Sequence, residues 1–520
     1  MSDEAHVQPE QPQPRGITRI TVQGFKSLRD ETSIEIRPLT ILAGANSSGK
    51  SSIMQPLLLM KQTLEAPYDP GALLLNGPIV RYSQSEQMFH SSLHKKSRFL
   101  KFSFGLSVNG GRSINVTFKK TPSLPVELAA ITYLVPKKGA LVKRKLQPEM
   151  SDTAVMGIVR DMIPPPLREI TSELIKRGGK WKVAVERSFI TVRLEVQDED
   201  GTTGSRFSMD PGSAVFAEAI QRVLYVPGFR GNPERTYQLI ELGSADPHIF
   251  YTFSGRLDNY VASIVHWWGL NKSGKKLAAL CTGLQNLGLT KVVNTEKIND
   301  VAVEVRVGRM PTSYKGDDQS TVSIADVGLG VSQVLPVVVA LLIAKPGQLV
   351  YIEQPELHLH PRAQAAMAGL LADAAKRGVR VVIETHSDTL LLAIRKLVTQ
   401  HANDRDEGKP VDERRGLAAD LVKLHWFSRN QEGVTEVRSA DLDDDGAFGD
   451  WPEDFAETEF DLRVDYLNEV NRRQELLDAQ RRATNGSNTN GGGANHNTSS
   501  NGHSEDAQQE TVETGMEAAD

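Results

Sequence analysis

Eight consecutive residues, Gly44-Ala45-Asn46-Ser47-Ser48-Gly49-Lys50-Ser51, satisfy G-x-x-x-x-G-K-[ST] at every fixed position. Each fixed residue has a chemical task in such a run. The glycines let backbone N–H groups curl around phosphates, Lys50 can reach the β and γ oxygens, and the Ser51 hydroxyl can ligate Mg²⁺. The ligand class that follows is ATP or GTP. A second group, Leu349-Val350-Tyr351-Ile352-Glu353-Gln354-Pro355-Glu356, is an apolar strand ending in acids, where a Walker B carboxylate would emerge. A third, Val381-Val382-Ile383-Glu384-Thr385-His386-Ser387, is another apolar strand with a polar end. Parallel strands that finish at one sheet edge bring their last residues around one crevice. Between these groups and the phosphate loop lies Asp326-Val327-Gly328-Leu329-Gly330-Val331-Ser332-Gln333, a glycine-containing loop that opens a helix.

The elements that must hold these groups can be read from hydrophobic periodicity. Alternation predicts strands at Ile17 to Val22 and Ser33 to Ile36, and a short apolar run, Leu39 to Ala43, precedes the phosphate loop. A helical pattern follows from Ser51 to Leu64, with Pro56 expected to kink it. After residue 320 the pattern predicts a helix over Ser332 to Ala344, a strand over Leu349 to Glu353 and a helix over Pro361 to Lys376. A strand over Val379 to Glu384 and a helix over Thr389 to Val398 complete it. Strands alternating with helices of this length argue for an α/β unit with a parallel sheet. Residues 91–320 mix strands (Leu100 to Val108, Ser113 to Lys119, Phe189 to Val196, Val301 to Val307) with helices (Leu167 to Lys176, Val261 to Trp268). The expected architecture is therefore a P-loop NTPase core, 16–90 and 321–400, split by a long α+β insertion at 91–320. A further domain is expected at 401–483. The polar segments 1–15 and 484–520 lack periodicity and are expected to be disordered.

Composition narrows the class. At 520 residues the chain is too long for one compact core. Its longest apolar stretch, Val334 to Ala344, is eleven residues and contains Pro336, too short to span a bilayer. The N-terminus has neither the basic nor the apolar region of a signal peptide. The one cysteine, Cys281, excludes an intrachain disulfide framework and a multi-cysteine zinc site. A soluble cytoplasmic protein is expected. The net charge of −5 hides an asymmetry: Ser91 to Ile190 carries 19 Lys or Arg against seven Asp or Glu. Such a basic region is either a footprint for a polyanion or a solvated surface. Lys95, Lys96, Arg98, Lys137, Lys138, Lys143, Arg144 and Lys145 are its candidates for DNA contact.

The motifs together resemble the ABC-type P-loop ATPases of the SMC, RecF and OLD branch, often labelled AAA family ATPases. Among these the chain is similar to a phage-defence (Septu-like) subgroup with a C-terminal domain of unknown function. The resemblance is carried by FKSL (Phe25 to Leu28), PLTILAGANSSGKSS (Pro38 to Ser52), LLLNG (Leu73 to Gly77) and DVGLGVSQVLPVV (Asp326 to Val338). YIEQPELHLHP (Tyr351 to Pro361), IETHSDTLLL (Ile383 to Leu392) and DWPEDF (Asp450 to Phe455) also carry it, and Gly228-Phe229-Arg230 looks family-like. It implies ATP and Mg²⁺, with Gly44, Ala45, Asn46, Ser47, Ser48, Gly49, Lys50, Ser51 and Ser52 around the nucleotide and Ser51 with Glu353 on the metal. It also implies a homodimer or higher even oligomer in which Gly328, Gly330 and Ser332 face the partner's γ-phosphate. His386 would be the switch histidine, and Gln84 or Gln87 the Q-loop glutamine that reaches the metal. The expected function is a nucleotide-controlled switch in phage defence that controls a separate effector such as a nuclease; the alternatives are direct action on DNA in repair or maintenance, and a hydrolysis-poor ATP-binding scaffold.

Two departures stand out. The family strand ends in Asp followed by a catalytic Glu, where this chain has Glu353 and Gln354. An amide cannot take a proton from water at neutral pH, so Gln354 could orient water but not act as its base. Either Glu356 supplies the carboxylate, or turnover is slow and ATP mainly locks the dimer. Gly328 also stands where signature loops often carry Ser. Three other groups imitate sites. Asp441 to Gly446 matches the start of an EF-hand loop but has Pro452 where the bidentate acid belongs. Glu356, His358 and His360 alternate as metal ligands do, and His266-Trp267-Trp268 offers a base-stacking surface or ordinary core.

Overall fold

The computed structural model describes residues 16–90, 100–240, 253–308 and 321–449, except 109, 123, 138–139, 161, 198–202 and 271–273, together with 469–470 and 472–474. The chain divides into two units, Met1–Pro452 and Glu453–Asp520. The described residues of the second unit are helical.

The central sheet of the first unit has six strands in the order Leu224–Val226, Leu349–Glu353, Arg380–Glu384, Leu39–Gly44, Val422–Arg429 and Thr435–Ala440. The first five are parallel and the last pairs antiparallel. Both faces are covered, so Leu39–Gly44 and Arg380–Glu384 are buried at every residue. The phosphate-loop strand lies between Arg380–Glu384 and Val422–Arg429 and opens directly into the helix Lys50–Glu65. That helix continues through Pro56. Ile53, Met54, Leu57 and Leu58 share one core with Tyr351, Val382 and Phe427 of the central sheet. The same core takes in Ile20, Val22, Phe104 and Val116 of a second, antiparallel sheet. Its order is Thr32–Glu35, Ile17–Gln23, Leu100–Val108, Arg112–Lys120, Glu127–Lys137 and Ala140–Leu146.

These pairings redraw the expected domain map. Leu100–Val108, placed in the insertion by sequence, pairs along Ile17–Gln23, so the two segments belong to one sheet. Leu224–Val226, also from the middle of the chain, is an edge strand of the central sheet. Val422–Arg429, expected in a separate domain, lies against the phosphate-loop strand. The expected strands and helices are nonetheless present, and Leu349–Glu353 and Pro361–Lys376 have the expected ends. The helix expected over Thr389 to Val398 starts at Asp388, where Ser387 caps it by accepting from the Leu390 N–H at 3.0 Å, and runs on to Asp406 because no Gly or Pro follows Val398 until Gly408. Segments 1–15 and 475–520 lie outside the described residues.

The lookalike groups acquire structural roles. Asp441 pairs with Lys423 at 2.8 Å and Arg37 at 2.9 Å, and Asp444 pairs with Arg405, so the acidic turn is held by cations of its own unit. His360 caps Pro361–Lys376, and Trp268 is core. Among the described residues no helix is long and apolar enough to cross a membrane.

His425 joins the two sheets. Fully buried on Val422–Arg429, it has Nε2 2.8 Å from the Glu35 carbonyl oxygen and Nδ1 2.7 Å from Ser439 Oγ. A neutral ring meets both partners, Nε2–H donating to the carbonyl and Nδ1 accepting from the hydroxyl. Burial first, opposed by the Glu35 carbonyl and reinforced by Lys423, pulls its pKa down to about 4. The unfolded imidazole, with its ordinary value of 6.5, takes a proton on the way to pH 4 that the folded one refuses. Stability is thus fully present above pH 6.5 and falls as pH drops to 4, by up to about 3 kcal/mol from this ring. Urea denaturation across that window should show a shallower acid-side loss in His425→Gln than in the wild type. Equal slopes would remove the ring from the acid response.

Candidate nucleotide site

The phosphate loop is shaped by two close approaches. Gly44, at φ 134°, passes so near Val422–Arg429 that a Cβ would lie 2.1 Å from the Phe427 carbonyl oxygen. Gly49, at φ 111°, would put a Cβ 2.4 Å from Thr435 Oγ1. Thr435 Oγ1 itself lies 2.7 Å from the Ser48 carbonyl oxygen and 2.7 Å from Ser27 Oγ, tying the loop to the FKSL turn. Lys50 folds back along the loop, donating to the carbonyls of Gly44 at 2.9 Å and Ala45 at 2.8 Å. Burial lowers its pKa, with Glu384 opposing.

A cleft of about 390 Å³ opens over this loop. Asn46, Ser47, Lys50 and Ser51 line one side, and Glu353, Gln354, Glu384 and His386 the other. Three expected residues from other elements, Glu353, Gln354 and His386, thus line the same cleft as Ser51 of the loop. Glu384 joins them although the sequence reading assigned it no task. It is in register with Glu353 on the adjacent strand, and both strands end at the cleft. Ser51 donates to Glu384 Oε2 at 2.8 Å, and Tyr351 OH donates to Glu384 Oε1. Burial, and next the Glu353 charge, push Glu384 up to about 7. Glu353 accepts from Tyr225 OH at 3.1 Å and the Gly228 N–H at 3.0 Å, and lies 3.3 Å from Tyr351 OH. The stacked rings of Tyr225 and Tyr351, 5.5 Å apart, hold these hydroxyls in place.

Arg230 locks the end of the acid-bearing strand from behind. Its Nη2 donates to the carbonyls of Glu353 at 2.7 Å and Gln354 at 3.1 Å. Gln354 is held at φ 46° and donates its N–H to the Glu384 carbonyl at 2.8 Å. Burial lowers the Arg230 pKa to about 10 against the fields of Glu356, Asp258 and Glu353.

Glu356 is not among the residues lining the cleft. Its Oε1 accepts from Thr385 Oγ1 at 2.7 Å and the His386 N–H at 3.2 Å, so its carboxylate supports the switch loop from beneath. Burial raises its pKa. Burial and the Lys50 charge lower that of His386. Gln84 and Gln87 lie at the short helix Ser85–Met88, and neither lines the cleft. Ser52 is in the first turn of Lys50–Glu65. Gly328 caps the helix Leu329–Ile343, which carries Gly330 and Ser332; none of the three lines this chain's own cleft. Lys143 and Lys145 are exposed on one face of the edge strand Ala140–Leu146, while Arg144 on the other face donates to the Pro211 carbonyl at 3.5 Å. Lys95, Lys96, Arg98 and Lys138 lie outside the described residues, as do the Lys137 side chain and the DWPEDF motif.

The donor set suits Mg²⁺. A hydroxyl and two carboxylates are hard oxygen donors, and Mg²⁺ favours one or two carboxylates completed by water and phosphate oxygens. Among the described residues no group of three or more His, Cys, Asp or Glu is arranged for a metal, so this chain would hold the ion together with a nucleotide. Ser51 and Glu353 are the residues that would do so directly, with Glu384 behind them as the acceptor of the Ser51 hydroxyl proton. The ion would supply charge neutralisation at the phosphates.

Comparison with known proteins points the same way. A family described as "AAA ATPase domain" matches residues 16–135, and one described as "AAA domain, putative AbiEii toxin, Type IV TA system" matches residues 296–393. No curated protein matches the chain. Similar solved structures include an Smc head bound to the C-winged helix domain of ScpA, at 14% identity and TM-score 0.38, covering 82% of this chain and 98% of that one. An SMC head domain from Thermotoga maritima has 12% identity and TM-score 0.33, covering 81% and 98%. An Smc head with an extended coiled coil, bound to the C-terminal domain of ScpA derived from Pyrococcus furiosus, has 12% identity and TM-score 0.36, covering 88% and 99%. The α/β P-loop core thus has two segments that match AAA-type ATPase families, with the phosphate loop in one and the acid-bearing and switch strands in the other.

Proposed function

We propose that this protein is an ATP-binding, slowly hydrolysing Mg²⁺-dependent ATPase, and that its nucleotide state controls the assembly of two copies. In phage defence the assembled form would govern a separate effector such as a nuclease. The observation that carries the slow turnover is the pairing of a fully equipped phosphate cleft with an amide, Gln354, in the place of the water-activating base. Glu356 turns its Oε1 to Thr385 and the His386 N–H and does not line the cleft, and so is poorly placed to substitute. Assembly is supported by two features. Within its own chain a Cβ on Gly328 would meet nothing within 4 Å, so packing does not account for glycine there. Phe229, which also lines the cleft, is 81% exposed, as a contact for a second copy would be. The defence role rests on the motif resemblance, and the match to a toxin–antitoxin family supports it.

ATP turnover and mass in solution, with and without ATP, test this together. Wild type should hydrolyse less than about one ATP per second, at the bottom of the usual range for enzymes, and shift to an even oligomer when ATP is added. Lys50→Ala should lose both properties. Gln354→Glu should raise turnover at least about tenfold, because a positioned base contributes about a hundredfold or more. Fast turnover by the wild type, or no gain in Gln354→Glu, would overturn the slow-switch reading.

Exposed Lys143 and Lys145 favour a second reading in which the protein also touches DNA directly. Reversing both charges should weaken duplex DNA binding and lower the slope of log affinity against log salt by about two. An unchanged slope would remove this strand from any DNA contact.

A further inference from the structure

We infer that Glu384, two residues before the switch histidine, is the positioning residue for the Ser51 hydroxyl, and that it divides with Glu353 the task the motif gives to Glu353 alone. This deepens the nucleotide-binding reading and rests on it. The division follows from where the lone pairs go. Glu353 is engaged by Tyr225 OH, the Gly228 N–H and, at 3.3 Å, Tyr351 OH. Gly228 confines it further, since a Cβ there would come within 3.3 Å of Glu353 Oε2. No hydrogen bond joins Glu353 to Ser51; Ser51 donates instead to Glu384 Oε2 at 2.8 Å. A hydroxyl whose proton is committed to a carboxylate presents its lone pairs in a fixed direction, as a hard cation requires. Glu384 is 5% exposed and fixed by Tyr351 on its other oxygen, so this direction is set before any ligand arrives. The parallel register of Glu353 and Glu384 makes the arrangement a property of the sheet, with one acid from each of two neighbouring strands.

The test is equilibrium binding of a fluorescent ATP analogue in excess Mg²⁺ and in EDTA, a readout independent of hydrolysis. Wild type should bind more tightly with Mg²⁺. In Glu384→Gln that gain should shrink about tenfold, the loss expected for one charge-assisted contact, while affinity in EDTA stays equal or improves because a negative charge has left the phosphate site. Ser51→Ala should lose the same gain, and Glu384→Gln added to Ser51→Ala should cost nothing more, because Glu384 acts through that hydroxyl. A Glu384→Gln protein that keeps the wild-type gain, or losses that add in the double variant, would overturn the inference. Should Glu384→Gln fail to fold, Glu384→Asp takes its place: the shortened carboxylate should lose the gain, and keeping it would overturn the inference equally. No binding by the wild type in either buffer would instead defeat the nucleotide reading itself.

Discussion

The site depends on the absence of side chains at Gly44 and Gly49. Each occupies a backbone conformation that L side chains rarely adopt, and each faces an atom closer than any Cβ could tolerate. The two opposing atoms, the Phe427 carbonyl oxygen and Thr435 Oγ1, belong to adjacent antiparallel strands near the end of the described chain. The loop that would hold phosphate is therefore moulded between its own helix and a hairpin almost 400 residues away. Because Thr435 also reaches Ser27, the FKSL turn joins the same clamp. The nucleotide loop is completed by long-range closure, and segments that read as two separate domains in sequence are parts of one mould.

The second constraint is charge. Two carboxylates in register at neighbouring strand ends repel each other, and burial adds to the cost of ionising Glu384. The surroundings offset this with donors: Tyr351 sits between the pair, Tyr225 and the Gly228 N–H serve Glu353, and Ser51 serves Glu384. Lys50 supplies the nearby positive charge that draws Glu384 toward ionisation. Behind the strand Arg230 fixes both carbonyls where it bends, and Glu356 fixes the neighbouring switch loop. The two strand ends are thus linked through backbone bonds as well as through their acids, as the Gln354 N–H bond to the Glu384 carbonyl illustrates.

Much of this was legible in the sequence. The phosphate loop is recognisable because its chemistry demands glycines and a lysine at fixed spacing, and the apolar strands announce themselves by β-branched runs with polar ends. What stayed hidden was non-local. Leu224–Val226 is only three residues long, too short to show a period, and its membership in the central sheet depends on a partner more than 120 positions away. Thr435 and Arg230 carry no local mark of their contacts. Glu384 did carry a signal, since it ends an apolar strand as Glu353 does, but its task depends on Ser51 lying across the sheet edge. Glu356, three residues beyond Glu353, accepts through Oε1 from Thr385 and the His386 N–H and does not line the cleft, a placement its spacing from Glu353 does not announce.

Charge also gives the amide at Gln354 a physical context. The usual strand end places two acids in sequence, whereas here two acids stand side by side on different strands and the sequential second place is neutral. The number of carboxylates lining the cleft is the same. A third, at position 354, would enter a site where desolvation and the neighbouring Glu353 already hold Glu384 up to about 7. A carboxylate there would stand with two others around one cleft, where like charges disfavour one another's ionised form. The cost would fall on the ionised state of the trio, with Lys50 the one cation lining the described cleft. An amide avoids that cost while keeping an acceptor and a donor in reach of water. In the proposed switch, a cleft with no proton acceptor aimed at the attacking water would hold ATP in preference to consuming it.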